Sequence, residues 1–410
     1  MSKLSPWARS ALRKTPAQPL EFATSGFKVI KQSEIIEEEH LIDFQKGHYY
    51  PVYIGDTYAF KYQVIGKLGF GSKSTAWLAR DLVAHKYSTL KIYNCAEGHR
   101  KELDTYKLLD KASQRHPGHL HIRKALDGFT LGRKGPGNDH RCFIHTPASG
   151  SFRDLLSRSP IHRLTEEQLK AGLKQVLLAL DYLHTECKLI HTDIKPQNIL
   201  LEITDPTILV NFTTAELETP SPRKIAGGMT VYVSRSFDQP RSYGRAVLSG
   251  FGAAVGGNKI QNHDAQSSIY RSPEIMLQAE WGYPVDIWNV GVMVWDLLEG
   301  RRMFYGEEPK SKKYSTRAHL AEVVGLLGRP PLDLLRRGAR SSEFFTTGGE
   351  WKHKQEVMIP RGVSLETSER FLKGKNKEDF LVFMRKMLQW RPEDRKTARE
   401  LLDDPWLNKV

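Results

Sequence analysis

The chain has 410 residues, 40% hydrophobic and 26% charged, with a formal net charge of +14. That length buries a sizeable core in one large domain or two, and no apolar run approaches the roughly 20 residues of a membrane span. Cys95, Cys142 and Cys187 are too few and too scattered for a disulfide framework or a zinc site, which fits a reducing compartment, and the positive charge is spread rather than gathered into a nucleic-acid-binding stripe.

Residues 1–48 read as an N-terminal extension without fixed structure. Its first 20 residues carry Lys3, Arg9, Arg13 and Lys14 and no acid. This is the composition of a basic disordered arm, or alternatively of a weak mitochondrial transit peptide. Strands are expected next: Tyr62 to Ile65, then Thr75 to Ala79 after a glycine-rich turn at 66–71, then Tyr87 to Tyr93 with Lys91 inside it. Residues 99–112 are expected to be helical. Thr165 followed by Glu166-Glu167-Gln168 has the form of an N-cap and first turn, and Leu169 to His184 repeats apolar residues at three and four spacing. A nearly all-apolar helix follows at 285–298, with others near 318–327, 377–389 and 396–403. The polar stretch 203–246, with Pro206, Pro220, Pro222 and Pro240, reads as an insertion in this second, helical part. The order of elements predicts an α+β chain of two lobes.

The segment His191-Thr192-Asp193-Ile194-Lys195-Pro196-Gln197-Asn198 carries the chemistry. Phosphoryl transfer needs a carboxylate to orient and deprotonate the attacking hydroxyl, a cation on the transferred phosphate and an oxygen ligand for a metal. Asp193, Lys195 and Asn198 supply these in that order. A lone Asp193 would be a surface carboxylate; the whole octet is what makes it chemical. Gly69-Phe70-Gly71 lets backbone N–H groups approach phosphate oxygens, and Lys91, about 20 residues on, suits the α- and β-phosphates. Glu102 is the expected partner of that lysine, with Glu97 as fallback. Ser272-Pro273-Glu274, Asp286-Ile287-Trp288 and Arg395 are structural marks, with Arg395 suited to pair with Glu274.

These stretches, together with Tyr50-Pro51-Val52-Tyr53-Ile54-Gly55-Asp56, Lys67-Leu68-Gly69-Phe70-Gly71, Ser74-Thr75-Ala76-Trp77-Leu78, Tyr270-Arg271-Ser272-Pro273-Glu274 and Asp404-Pro405-Trp406-Leu407, resemble the SR-protein kinases and a fungal branch of similar proteins. The resemblance spans roughly residues 50–408. It implies a two-lobed protein kinase fold over 49–408, with a small antiparallel-sheet N-lobe at about 60–147 and a larger helical C-lobe at about 148–408. It also implies an ATP- and magnesium-dependent serine/threonine kinase. Leu68, Gly69, Gly71, Ala76, Lys91 and Glu102 would then serve the nucleotide and Asn198 the metal. A protein substrate, Ser/Arg-rich in that family, a monomeric state and a cytoplasmic or nuclear setting are further expectations.

The departures are as informative. Where the family carries a metal-binding Asp-Phe-Gly, two segments compete: Asn211-Phe212-Thr213 and Gly250-Phe251-Gly252. Gly250 is favoured, because it leaves 24 residues to Glu274, an ordinary length for the segment between them. Neither offers an aspartate. Ala76 stands where a valine packs on adenine, and Pro309 to Arg317 is basic where the family is acidic. An active kinase with a degraded metal site and a pseudokinase scaffold are therefore both open at this point.

Overall fold

The computed structural model describes residues 15–95, 99–132, 139–226 and 229–409. The basic residues before Thr15, and Glu97, lie outside the described residues. The chain divides into two compact units. The first gathers the residues up to Arg100 with Lys124–Ser149 and Ile203–Gly244; the second gathers Lys101–Arg123, Gly150–Glu202 and the residues from Arg245 on.

The first unit is built on a six-stranded antiparallel sheet. Its strands are β1 (Thr57–Tyr58), β2 (Tyr62–Gly71), β3 (Ser74–Asp81), β4 (Lys86–Tyr93), β5 (Asp127–Gly132) and β6 (Asp139–His145), in the order β1-β2-β3-β4-β6-β5. The glycine-rich residues 66–71 are strand rather than turn. Irregular pairing between Val64 and Gly66, and again between Lys67 and Gly69, lets β2 continue to Gly71. The two-residue side-chain period sorts the apolar residues onto opposite faces. Val64, Trp77, Leu90, Ile92 and Ile144 pack on one side with Val52 and Tyr62, while Ile65 and Leu78 pack on the other.

That second face is covered by the stretch expected to sit in the helical lobe. Residues 207–218 form a helix, and Ile208, Leu209, Phe212 and Phe237 join Ile65 and Leu78 in one core. A Cβ on Gly66 would come within 2.8 Å of the Phe212 ring, so glycine there is what admits the aromatic side chain. The insertion therefore belongs to the sheet unit, because its apolar residues complete a sheet face that would otherwise be bare.

The expected disorder of the extension is also corrected for residues 15–48. Leu20 exchanges two hydrogen bonds with the Gln63 side chain, at 2.8 and 2.7 Å. The acidic turn Glu37–His40 clamps Lys67, whose fully buried ammonium pairs with Glu38, lies 3.4 Å from Glu37 and donates to Tyr232 O at 3.0 Å. Lys224 pairs with Glu39 at 2.8 Å. A buried ammonium is tolerated only with such partners, so the three glutamates have a structural task.

In the second unit, Thr165 and Gln168 form the anticipated capping box at the start of the helix Glu166–Thr185. Gly118 rests on this helix so closely that a Cβ would lie 1.9 Å from Leu178 O. The helix Pro284–Glu299 is buried from Val285 to its end and stops at Gly300, which has φ +66°. Helices at Thr316–Leu327, Gly374–Arg385 and Ala398–Leu402 overlap the remaining expectations, with ends shifted by up to four residues. Among the described residues, no helix is long and apolar enough to cross a membrane.

Candidate active site

The octet lies in the second unit as a loop between the short strand Leu189–Ile190 and the turn Pro196–Asn198. Its backbone is held by a single buried carboxylate. Asp286 Oδ2 accepts from His191 N–H at 2.8 Å and Oδ1 from Thr192 N–H at 2.7 Å, and the His184 ring contacts Oδ2 at 2.9 Å. These bonds support an unusual conformation: Thr192 has φ +67°, which costs a non-glycine residue about 1–3 kcal/mol. Thr192 Oγ1 adds a bond to Ala253 O at 3.0 Å.

The histidine of the octet is structural. His191 is fully buried; its Nδ1 accepts from Asp193 N–H at 3.2 Å and its Nε2 bonds Ser249 O at 3.0 Å. Since a carbonyl only accepts, Nε2 carries the proton and the ring is neutral. Burial lowers its pKa, in keeping with that tautomer.

The Asp193 carboxylate is aimed and charge-balanced. Oδ1 accepts from Lys195 Nζ at 2.8 Å and from Ser267 Oγ at 2.7 Å, and Lys195 also donates to Ser267 Oγ at 2.9 Å. Oδ2 accepts from Asn198 Nδ2 at 2.9 Å, and the same amide donates to Asp193 O at 2.7 Å. With both amide protons spent on Asp193, Asn198 Oδ1 is left as the acceptor. The Asp193 and Lys195 side chains remain 22% and 25% exposed.

Ser267 was not anticipated from sequence. A hydroxyl a few residues ahead of the Ser-Pro-Glu segment was its only signal. The predicted Glu274–Arg395 pair is present as a fully buried bidentate ion pair, at 2.6 and 2.7 Å.

Of the two competitors for the metal motif, Asn211-Phe212-Thr213 lies inside the helix Thr207–Glu218 with Phe212 in the sheet core. Gly250-Phe251-Gly252 lies beside the octet. Ser249 N–H donates to Asn198 O at 2.8 Å, and Phe251 is wholly buried against Tyr106 and His191. Gly250 has φ +87°, and a Cβ on it would lie 2.7 Å from Asn198 Oδ1. Position 250 thus adjoins the Asn198 amide oxygen and carries no side chain.

Among the described residues, no three His, Cys, Asp or Glu side chains cluster to hold a metal ion.

Glu102 lies on the helix His99–Lys111 and is buried. It accepts from Tyr106 Oη at 3.4 Å, and a Cβ on Gly252 would sit 3.0 Å from its Oε2. In the first unit, Gly69, Ala76, Lys91 and Phe143 are successive cross-strand partners in one row of the sheet. Leu68, Gly69, Ala76 and Lys91 are partly exposed on strands that are otherwise mostly buried, and Gly71 is exposed at the end of β2. Beyond its place in this row, the Lys91 ammonium lies 4.6 Å from the centre of the Tyr93 ring. The row is a sheet surface with two small residues, one cation and one aromatic ring.

Residues 62–407 match the protein kinase domain model. The chain belongs to the protein kinase family. It is 39% identical over 398 residues to a serine/threonine protein kinase of Aspergillus fumigatus, covering 96% of each chain. It is 31% identical over 396 residues to the serine/threonine-protein kinase SRPK of Physarum polycephalum, covering 91% of this chain and 92% of that one. SRSF protein kinase 3 of Mus musculus is 26% identical over 547 aligned positions, covering 96% and 94%. Among solved structures, a kinase-domain crystal structure superposes with a TM-score of 0.69 at 20% identity, covering 88% of this chain and all of that one, and supports the kinase fold.

Proposed function

We propose that this kinase-family chain transfers the γ-phosphate of ATP to serine or threonine hydroxyls of proteins, with its own divalent-cation site reduced to Asn198. The observation that carries the reading is the Asp193 carboxylate, braced by Lys195, Ser267 and Asn198 and open to solvent. A bound ATP would supply the phosphoryl group. Asp193 accepts the hydrogen bond of the substrate hydroxyl and takes its proton. Lys195, 2.8 Å from Asp193, lies where the transferred group passes and offsets its charge. Ser267 holds both side chains in register. Lys91 is the cation for the remaining phosphates, and Leu68, Gly69, Gly71 and Ala76 form the surface for the nucleotide.

Gly250 sets the rate. A missing metal carboxylate removes several kcal/mol of charge stabilisation, so transfer should be slower by about a thousandfold or more than with aspartate there. The same glycine favours a second reading, a pseudokinase that binds partners without turnover. Relatives named as SRSF protein kinases make Ser/Arg-rich proteins the first substrate class to test. The basic stretch Pro309 to Arg317 would repel arginine-rich docking.

The test is phosphoserine and phosphothreonine detection by mass spectrometry after incubation with ATP and generic substrates. Wild type should phosphorylate and Asp193→Asn should not. Equal product from both, or none from either under any magnesium concentration, would overturn the kinase reading.

A further inference from the structure

Beside the octet lies a cavity of about 440 Å³, formed wholly by residues of the second unit. One wall is the octet itself, Pro196 and Gln197. Another is Ile269 and Tyr270, which follow the Ser267 that donates to Asp193. Pro196 and Gln197 stand three and four residues after Asp193 in the same loop.

The lining is cationic. Arg153, Arg301 and Arg302 face one acid, Asp296. That acid is already committed: Oδ2 accepts from Tyr270 Oη at 2.8 Å and Oδ1 from Met303 N–H at 2.7 Å. Arg301 donates to Ser368 O at 2.7 Å and stands 3.7 Å from Glu299. The Arg153 and Arg302 side chains are exposed. They act on Asp296 and Tyr270 through space, and make no hydrogen bond or ion pair of their own among the described residues.

We propose that this cavity is a specificity pocket for an anionic side chain of the substrate, carboxylate or phosphoester, close in sequence to the phosphoacceptor. The inference rests on the kinase reading above. Guanidinium groups present paired donors that match carboxylate and phosphate oxygens, and a concave wall of one sign concentrates its field. An arginine-flanked acceptor would meet like charge in the same place. The substrate class is therefore acidic or already phosphorylated, unlike the arginine-rich class that the names of some relatives bring to mind.

The test is binding of the full chain to fluorescent peptides with one serine, flanked on either side by Glu, phosphoserine, Ala or Arg, read by anisotropy at low and high salt. Glu or phosphoserine flanks on at least one side should bind about tenfold more tightly than Ala, the contribution of one charge-assisted hydrogen bond. Arg flanks should bind more weakly than Ala. The double variant Arg153→Glu/Arg302→Glu should reverse the order. Arg302→Gln should weaken anionic binding alone. Equal or tighter binding of Arg-flanked peptides, or an unchanged order in both variants, would overturn the proposal. Binding needs no turnover, so an anionic preference without phosphate transfer would sink the kinase reading and leave the pocket standing. Transfer with an arginine preference would do the reverse.

Discussion

Restoring the missing carboxylate with Gly250→Asp should cost stability without ligand and repay it only with metal and nucleotide. The cost has two parts. Gly250 sits at φ +87°, where a side chain costs about 1–3 kcal/mol. Its Cβ would also fall 2.7 Å from Asn198 Oδ1, so that amide must shift. The Asn198 amide holds Asp193 through bonds of 2.7 and 2.9 Å, and loosening either adds about 1 kcal/mol. The ligand-free variant should therefore melt several degrees below wild type. A new aspartate beside Asn198 Oδ1 creates a two-oxygen cation site, and saturation at a hundredfold excess over Kd returns about 2.7 kcal/mol. Differential scanning fluorimetry with ATP, with and without magnesium, reads both parts. Gly250→Asp should show a magnesium-dependent rise of several degrees and wild type almost none. A wild-type rise as large as the variant's would refute the degraded-site reasoning.

Three further outcomes follow from the same geometry. Arg395→Met should destabilise by roughly 3–5 kcal/mol in urea unfolding, because Glu274 is left charged and buried, whereas the double variant with Glu274→Leu should recover much of that loss. Lys67→Met should expose the 15–48 segment to limited proteolysis and lower the melting temperature, since Glu38 loses its buried partner. Burial raises the Asp296 carboxyl from 3.8 to about 6, against lowering by Tyr270, Met303 N–H, Arg302 and Arg153. Its folded pKa lies above its unfolded one, so its contribution is full below about pH 4 and lost as pH rises through 6, roughly 3 kcal/mol in all. Asp296→Asn should flatten the fall of the urea midpoint between pH 4 and 6, and an unchanged slope would contradict the assignment.

Much of the site was legible because local sequence carries it. The octet places Asp193, Lys195 and Asn198 within five residues, and the hydrogen bonds among them follow from that closeness. The Glu274–Arg395 pair was legible because two charged residues destined for burial need each other. Segment length alone favoured Gly250, whose neighbour Phe251 packs against His191 of the octet. The insertion was misplaced because Ile208, Leu209 and Phe212 sit among prolines and polar residues, and the surface they cover, Ile65 and Leu78, is more than a hundred residues earlier. The extension was misread for a similar reason: Glu37-Glu38-Glu39 looks solvated until Lys67 is known to be buried. Ser267 went unnoticed because a serine gains meaning only from the carboxylate it meets, and Asp193 is 74 residues away.

The central claim is an intact phosphoacceptor half joined to a metal half that lacks its carboxylate. Radiolabelled phosphate transfer from ATP to a serine peptide, titrated with magnesium for wild type, Asp193→Asn and Gly250→Asp side by side, tests it most directly. Slow transfer by wild type, none by Asp193→Asn, and a rise of about a thousandfold in Gly250→Asp are the predicted results. Fast magnesium-saturable transfer by wild type, or none by wild type at any magnesium concentration, would contradict it.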